Sequence, residues 1–344
     1  MLVKFGDQAR EIQSIWMENS NIVMIDQRAL PEKIEFFTAK NTDELCYAIK
    51  EMVVRGAPAI GVAAAFGIAQ AKMKGEDIRE AGEKLKSQRP TAHDLFYAVE
   101  MCIEKLENGV KPEDMAKWYS DLIVEECRKI GEVGEPLISE GAKILTHCNA
   151  GALATVDWGT ALAPLRMAKR NGKKFFVYVD ETRPRLQGAK LTAWELANEG
   201  IEHAVIPDSA AGYYMANGEI DLVITGADRI TANGDFANKV GTYEKAVVAK
   251  ENGIPFYVAA PLTTFDFSLS SGREIVVEMR SEDEVHYVGN CRITPQGSRA
   301  LNPAFDITPS RYVSKFITAY GIFKPTQIFV LKEKWKARKC LWKS

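Results

Sequence analysis

The chain has 344 residues, 46% of them hydrophobic and 26% charged, with a formal net charge of -2. That is enough for two domains and a sizeable core, in a globular rather than a disordered or fibrous balance. The near-neutral charge gives no electrostatic ground for nucleic acid or an anionic membrane as partner.

No apolar run approaches the ~20 residues that span a bilayer. The first residues, MLVKFGDQAREIQSIW, lack the apolar core and cleavage site of a signal peptide. Cysteines 46, 102, 127, 148, 291 and 340 are scattered with no CxxC, and the four histidines form no HxH or HxxxH pair. This pattern reads as reduced thiols in a cytoplasmic protein, with neither a disulfide framework nor a metal site expected.

In chain order, NIVMIDQRALPEKIEFFTAK reads as two short strands joined through ALPEK. NTDELCYAIKEMVV is an amphipathic helix with Leu45, Ala48, Ile49, Met52 and Val53 on one face and Asn41 or Thr42 as N-cap. VVRGAPAIGVAAAFGIAQA sets Arg55 and Gly56 before a helix of very small residues, with Pro58 near its first turn. A guanidinium, a close backbone and a helix N-terminus together suit a phosphate. Close helix packing through the alanines is the structural alternative, and both can hold. SQRPTAHDL offers a second arginine, Arg89, before a helix start at Pro90 and Thr91. AVEMCIEKLENG and EDMAKWYSDLIVEECRKIGEV read as further helices.

From about residue 142 short apolar runs alternate with helical ones: AKILTH, KFFVYVDE, HAVIPD, DLVITGAD, PFYVAA and QIFVL. The helical stretches GAKLTAWELANEG and VGTYEKAVVAKENG each end on a glycine stop. This alternation predicts an α/β fold with a doubly wound, mostly parallel sheet. The division falls between about 125 and 140, giving residues 1–130 as a small, mainly helical domain with a short β region and 131–344 as the sheet domain. The basic end KEKWKARKCLWKS reads as a solvated or docked segment.

In an open parallel sheet the ligand lies beyond the carboxyl ends of the strands. Three polar clusters fall there: His147-Cys148-Asn149, Asp180-Glu181-Thr182-Arg183 and Asp228-Arg229. Cys148 has three readings: a packed thiol, a metal ligand or a reagent facing something bound. The run NAGALAT after it reads as opening a helix whose N–H groups favour a thiolate or an anion. Asp228 follows a strand so apolar that a dry setting is expected to raise its pKa, as a general acid or base requires; pairing with Arg229 is the alternative. Lys239, beside Asn238 and before a helix, is placed to hold an anion or to lie on the surface. Neither a Walker A loop nor GxGxxG occurs, so no nucleotide cofactor is expected.

With those residues in view, the chain resembles the methylthioribose-1-phosphate isomerase family, from MIDQRALP to NPAFDITPSRYVSKFITAYGIFKP. The resemblance includes MVVRGAPAIGVAAAFG, RPTA, THCNAGALATVDWGTAL, VDETRPRLQGAKLTAWEL, DSAAGYYM, TGADRITANGDFANKVGTY and NPAFDITP. The wider superfamily includes ribose-1,5-bisphosphate isomerase and regulatory subunits of the exchange factor for translation initiation factor 2. The resemblance implies an aldose–ketose isomerase of methionine salvage with a small N-terminal domain on a Rossmann-like C-terminal domain, acting as a homodimer on a sugar phosphate without cofactor. It implies Cys148 and Asp228 as the catalytic pair, and Arg55, Gly56, Ala57, Arg89, Gln187, Asn238 and Lys239 as substrate contacts. The chain departs from the family pattern at His93 and Asp94 after RPTA, at Ala210, and at Cys291.

Overall fold

The computed structural model describes residues 1–6 and 8–341. The chain begins with an antiparallel hairpin, β1 (Leu2–Phe5) and β2 (Gln8–Glu11), and then an antiparallel sheet of β3 (Ile15–Glu18), β4 (Asn21–Ile25) and β5 (Phe36–Ala39). Five helices follow: α1 (Thr42–Lys50), α2 (Ala57–Met73), α3 (Ile78–Gln88), α4 (His93–Glu107) and α5 (Pro112–Gly134). Asn41 caps α1, its side chain accepting the Glu44 N–H at 2.9 Å. The helix ends at Lys50, earlier than its apolar spacing suggests, because Met52 turns left-handed at φ +57°.

Every residue of α2 from Ala57 to Ala71 is buried. A helix apolar all round can only be central, and α1, α3, α4 and α5 surround it. The small side chains let those neighbours approach closely. α3 escaped the sequence reading because only Ala81, Gly82 and Leu85 of its stripe are buried. α5 runs unbroken across residue 130.

Beyond α5 come β6 (Lys143–Thr146), α6 (Leu162–Arg170), β7 (Phe176–Asp180), α7 (Ala193–Asn198), β8 (His203–Ile206), α8 (Ala211–Ala216) and β9 (Leu222–Thr225). A hairpin of β10 (Arg229–Thr231) and β11 (Phe236–Lys239) precedes α9 (Thr242–Glu251), β12 (Phe256–Ala259) and β13 (Phe265–Asp266). The short α10 (Asp283–His286), β14 (Tyr287–Val288) and β15 (Cys291–Arg292) interrupt a long excursion before β16 (Phe305–Thr308). β17 (Lys315–Thr318), β18 (Gly321–Phe323) and α11 (Phe329–Leu341) complete the chain. The last three residues of the basic end lie outside the described residues.

The main sheet has the order β18-β17-β12-β9-β6-β7-β8, parallel throughout except for the β17–β18 pair. The expected mostly parallel sheet is therefore present, with one strand reassigned. QIFVL forms a short 3-10 turn and the start of α11 rather than a strand, and KFIT takes the sixth parallel place. An apolar run of that length reads equally as strand or helix. Here the Lys324-Pro325 turn sends it to a helix whose Leu331 is buried while Phe329 is exposed. A second sheet, β13-β10-β11-β16, lies beside the main one.

Winding reverses between β6 and β9: β7 and β8 lie to one side, β12 and β17 to the other. A crevice opens at such a point beyond the carboxyl ends of the two strands. Cys148 follows β6 and Asp228 follows β9, so the topology brings them to the same crevice.

Candidate active site

The crevice is a cleft with an empty volume of about 1020 Å³ including its open mouth. Cys148, Asp228, Arg55, Gly56, Ala57, Arg89, Gln187, Asn238 and Lys239 all line it. Cys148 stands at φ +64°, a left-handed conformation that is costly for a residue with a Cβ and persists only where the surroundings impose it. Two threonines impose it. Thr182 Oγ1 accepts the Cys148 N–H at 2.9 Å, and Thr192 Oγ1 donates to its carbonyl at 2.6 Å. Thr182 is itself left-handed, with its N–H held by Asp208 at 2.8 Å.

The segment after the thiol is not the helix its small residues suggest. It is a loop with one 3-10 turn, Ala152–Ala154, and α6 begins only at Leu162. The buried Glu195 organises it. Its carboxylate accepts the N–H groups of Ala152 (2.8 Å) and Leu153 (3.2 Å) and the Asn149 amide (2.9 Å), and pairs with the buried Arg166 at 2.5 Å. Those backbone donors are therefore spent on Glu195 and are not available to a thiolate. Burial pushes the Cys148 thiol up, and Arg55 and Lys239 pull it back only in part. Its pKa is thus raised rather than lowered, contrary to the helix-dipole expectation.

Burial also raises the Asp228 carboxyl, as its apolar strand foretold, against the pull of Lys239, Arg89, Arg280 and Arg55. The alternative partner is engaged elsewhere: Arg229 binds Asp266 through Nε at 2.9 Å and Nη2 at 2.5 Å. Lys239 is buried rather than superficial. Its Nζ donates to the Ala304 carbonyl at 2.6 Å and lies 4.6 Å from the centre of the Phe305 ring. Burial, with Arg280 nearby, brings its pKa down to about 8.

Arg55 spends Nε on Gln27 at 2.9 Å and reaches both the carbonyl and the side-chain oxygen of Asn149. It thus braces the residue next to Cys148 as well as lining the cleft. Beside it Gly56 has φ +99°, and a Cβ there would lie 2.5 Å from the Ala154 backbone. No side chain caps α2, whose N-terminal N–H groups meet the cleft where Gly56, Ala57 and Pro58 line it. Among the described residues, Arg89 Nε and Gln187 Oε1 are buried without a partner. Donors and acceptors stranded in a cleft point to a polar ligand.

Arg280 also lines the cleft, with Thr91, Met52 and Phe305. Sequence reading missed Arg280 because its neighbourhood, IVVEMRSEDEV, shows no periodicity; the only signal was an arginine among acids. Of the departures from the family pattern, His93, Asp94, Ala210 and Cys291 all lie outside the cleft lining. His93 reaches toward Asp266 at 3.7 Å, Asp94 is buried in α4, and Cys291 is exposed.

Among the described residues, one group has metal-ligand residue types. Atoms of His147, Asp180 and Asp208 lie within 4.8 Å of one another. They already serve each other and the backbone: His147 meets Asp180 at 2.8 Å and the Val240 carbonyl at 2.9 Å, and Asp208 accepts the N–H groups of Thr182 and Arg183. Among the described residues no helix is long and apolar enough to cross a membrane.

Comparison with known proteins identifies the family. The model of the initiation factor 2 subunit family matches residues 53–325. The methylthioribose-1-phosphate isomerase of Aquifex aeolicus is 49% identical over 92% of this chain and 70% of its own. The crystal structure of 5-methylthioribose 1-phosphate isomerase from Pyrococcus horikoshii OT3 is 41% identical, with a TM-score of 0.85 over 94% of this chain and 96% of its own. A structure named translation initiation factor eIF-2B, subunit delta, from A. fulgidus is 42% identical, with a TM-score of 0.81 over 94% of this chain and 100% of its own. The chain belongs to the initiation factor 2 subunit family, among relatives that bear the name methylthioribose-1-phosphate isomerase.

Proposed function

We propose that this chain is an aldose–ketose isomerase that converts 5-methylthioribose 1-phosphate to 5-methylthioribulose 1-phosphate in methionine salvage. The observation that carries this reading is one cleft holding a thiol and a carboxyl, both raised by burial, beside Arg55, Arg89, Arg280 and Lys239. The relatives' names supply the substrate. We further propose residues 1–130 and 131–344 as its two domains, a cytoplasmic setting and a homodimeric state.

The substrate's anomeric oxygen carries the phosphate, so its ring cannot open by simple mutarotation. In the proposed route Asp228, protonated, donates to the ring oxygen as the bond from that oxygen to carbon-1 breaks. The hydrogen on carbon-2 leaves as a proton to the catalytic pair, giving an enediol-like phosphate. A proton then returns at carbon-1, the carbon-2 hydroxyl gives up its own proton, and the ketose forms. Cys148 and Asp228 share these transfers. Arg55, Gly56, Ala57, Arg89, Gln187, Asn238 and Lys239 hold the sugar phosphate.

The test is an assay of ketose formation from methylthioribose 1-phosphate, with ribose 1,5-bisphosphate as competitor substrate. C148S and D228N are each expected to lower kcat at least a hundredfold while melting near the parent temperature. Full turnover in both variants would sink the assignment. Solvent deuterium at carbon-1 of the product is expected from proton exchange; its absence would favour a direct hydride shift from carbon-2. The name of the A. fulgidus structure motivates a second reading, a non-catalytic subunit that binds translation initiation factor 2. Capture of that factor by a chain inert toward both sugars would establish it.

A further inference from the structure

The excursion between β13 and β16 has little regular structure, yet its Ile275, Val276 and Arg280 line the cleft, and Glu278 between them ties it to the turn that carries Arg89 and Thr91. Arg280 is nearly buried, its side chain 8% exposed, and its Nε donates to Glu278 Oε1 at 3.0 Å. Its own N–H donates to the Asn302 carbonyl at 2.9 Å, so its backbone is anchored. The second oxygen of Glu278 lies 3.7 Å from Arg89 Nη2 and accepts from Thr91 Oγ1 at 3.3 Å. Arg89 and Thr91 come from the turn between α3 and α4. Glu278 is therefore a single carboxylate stretched between two cleft arginines, close to one and loose on the other.

The charges do not balance. Among the described residues Glu278 is the one carboxylate within ion-pair distance of the two guanidinium groups. Asp228 acts on them from farther off, Lys239 adds a third positive charge that both arginines feel, and Arg89 Nε keeps no partner. Here Glu278 meets Arg280 at 3.0 Å but leaves Arg89 at 3.7 Å, beyond hydrogen-bond distance. A phosphate dianion brings a second charge and three terminal oxygens that fan out in three dimensions, so it can hold both guanidinium groups closely. From this we infer that Glu278 is an internal stand-in for phosphate: it holds the anion position between Arg89 and Arg280 and yields it to the phosphate group of the substrate, which makes Arg280 a further phosphate-binding residue. The inference rests on reading the cleft as a sugar-phosphate site. Its consequence is charge selection. A ligand displaces Glu278 only by bringing more negative charge than the carboxylate it replaces, so an unphosphorylated sugar is rejected.

Calorimetric titration of the whole chain with inorganic phosphate tests this without turnover. E278Q removes the resident anion and is expected to bind phosphate about tenfold more tightly than the parent, and R280Q about tenfold more weakly. E278D keeps the charge but is too short to reach both arginines, and it too is expected to bind more tightly. Thermal melts of all three establish folding; were E278Q unfolded, E278D carries the same test. Equal or weaker binding in the folded Glu278 variants overturns the inference, since a carboxylate that merely props the arginines in place gives that result. A chain that shows the expected series yet fails to isomerise loses the isomerase assignment and keeps this one; the reverse outcome does the opposite.

Discussion

Glu195 is the residue on which the loop after Cys148 depends most, and E195Q is the sharpest test of how that loop is held. The substitution is nearly isosteric and removes one negative charge from a pair whose side chains are 2% and 0% exposed. Breaking a buried pair from one side costs about 3–5 kcal/mol, because the remaining ion is left uncompensated. Glu199, 3.3 Å from Arg166 Nε, recovers part of that. Against this, a carboxamide offers one accepting oxygen where Glu195 uses two. At least one of the donors on Ala152, Leu153, Asn149 and Arg166 is then stranded, at about 1–3 kcal/mol. The two corrections offset, and the expected loss is about 4 kcal/mol, read by urea denaturation. With the loop loosened, Cys148 is expected to alkylate faster with iodoacetamide in the folded variant. A loss below about 1 kcal/mol with unchanged alkylation would refute the argument, because the loop would then owe its shape to its own small residues.

Two further tests follow from the cleft. G56A places a Cβ 2.5 Å from the Ala154 backbone at a φ of +99°, where only glycine is at ease. A loss of about 3 kcal/mol or more and weakened phosphate binding are expected; a parent-like melt would show that the two segments part freely. The Lys239 pKa of about 8 lies below its ordinary 10.5, so the ammonium is present below about pH 8 and lost above it. Phosphate affinity is expected to fall as pH rises through that value, and a flat profile from pH 7 to 9.5 would count against Lys239 as an anion contact. Linkage gives stability the opposite sign. Between about 8 and 10.5 the unfolded chain binds the proton that the native chain has released, so the contribution of Lys239 to stability rises with pH.

Much of the architecture was legible in the sequence. The alternation after residue 142 specified the parallel strands, since runs such as LVIT, buried on both faces, are apolar without a break. Pro58 and the alanines after Gly56 specified a helix, and its lack of any polar face specified that it is central. The polar residues at strand ends were legible for the same reason: charge after an apolar strand marks the point where the chain leaves the sheet.

What the tertiary structure alone decided lies in contacts between distant segments. Small residues after Cys148 are compatible with helix or loop, and the buried carboxylate of Glu195, more than forty residues away, selects the loop. That choice removes the helix N-terminus from the thiol and leaves burial to set its proton. QIFVL became helix because the Lys324-Pro325 turn leads it away from the sheet, where KFIT already holds the sixth parallel place. Glu278 and Arg280 have no pattern around them to read. They matter because an irregular excursion sets them against Arg89 from another part of the chain. Local spacing encodes which face of an element is apolar, but a charge acquires its role only from the charges that folding brings within a few ångströms of it.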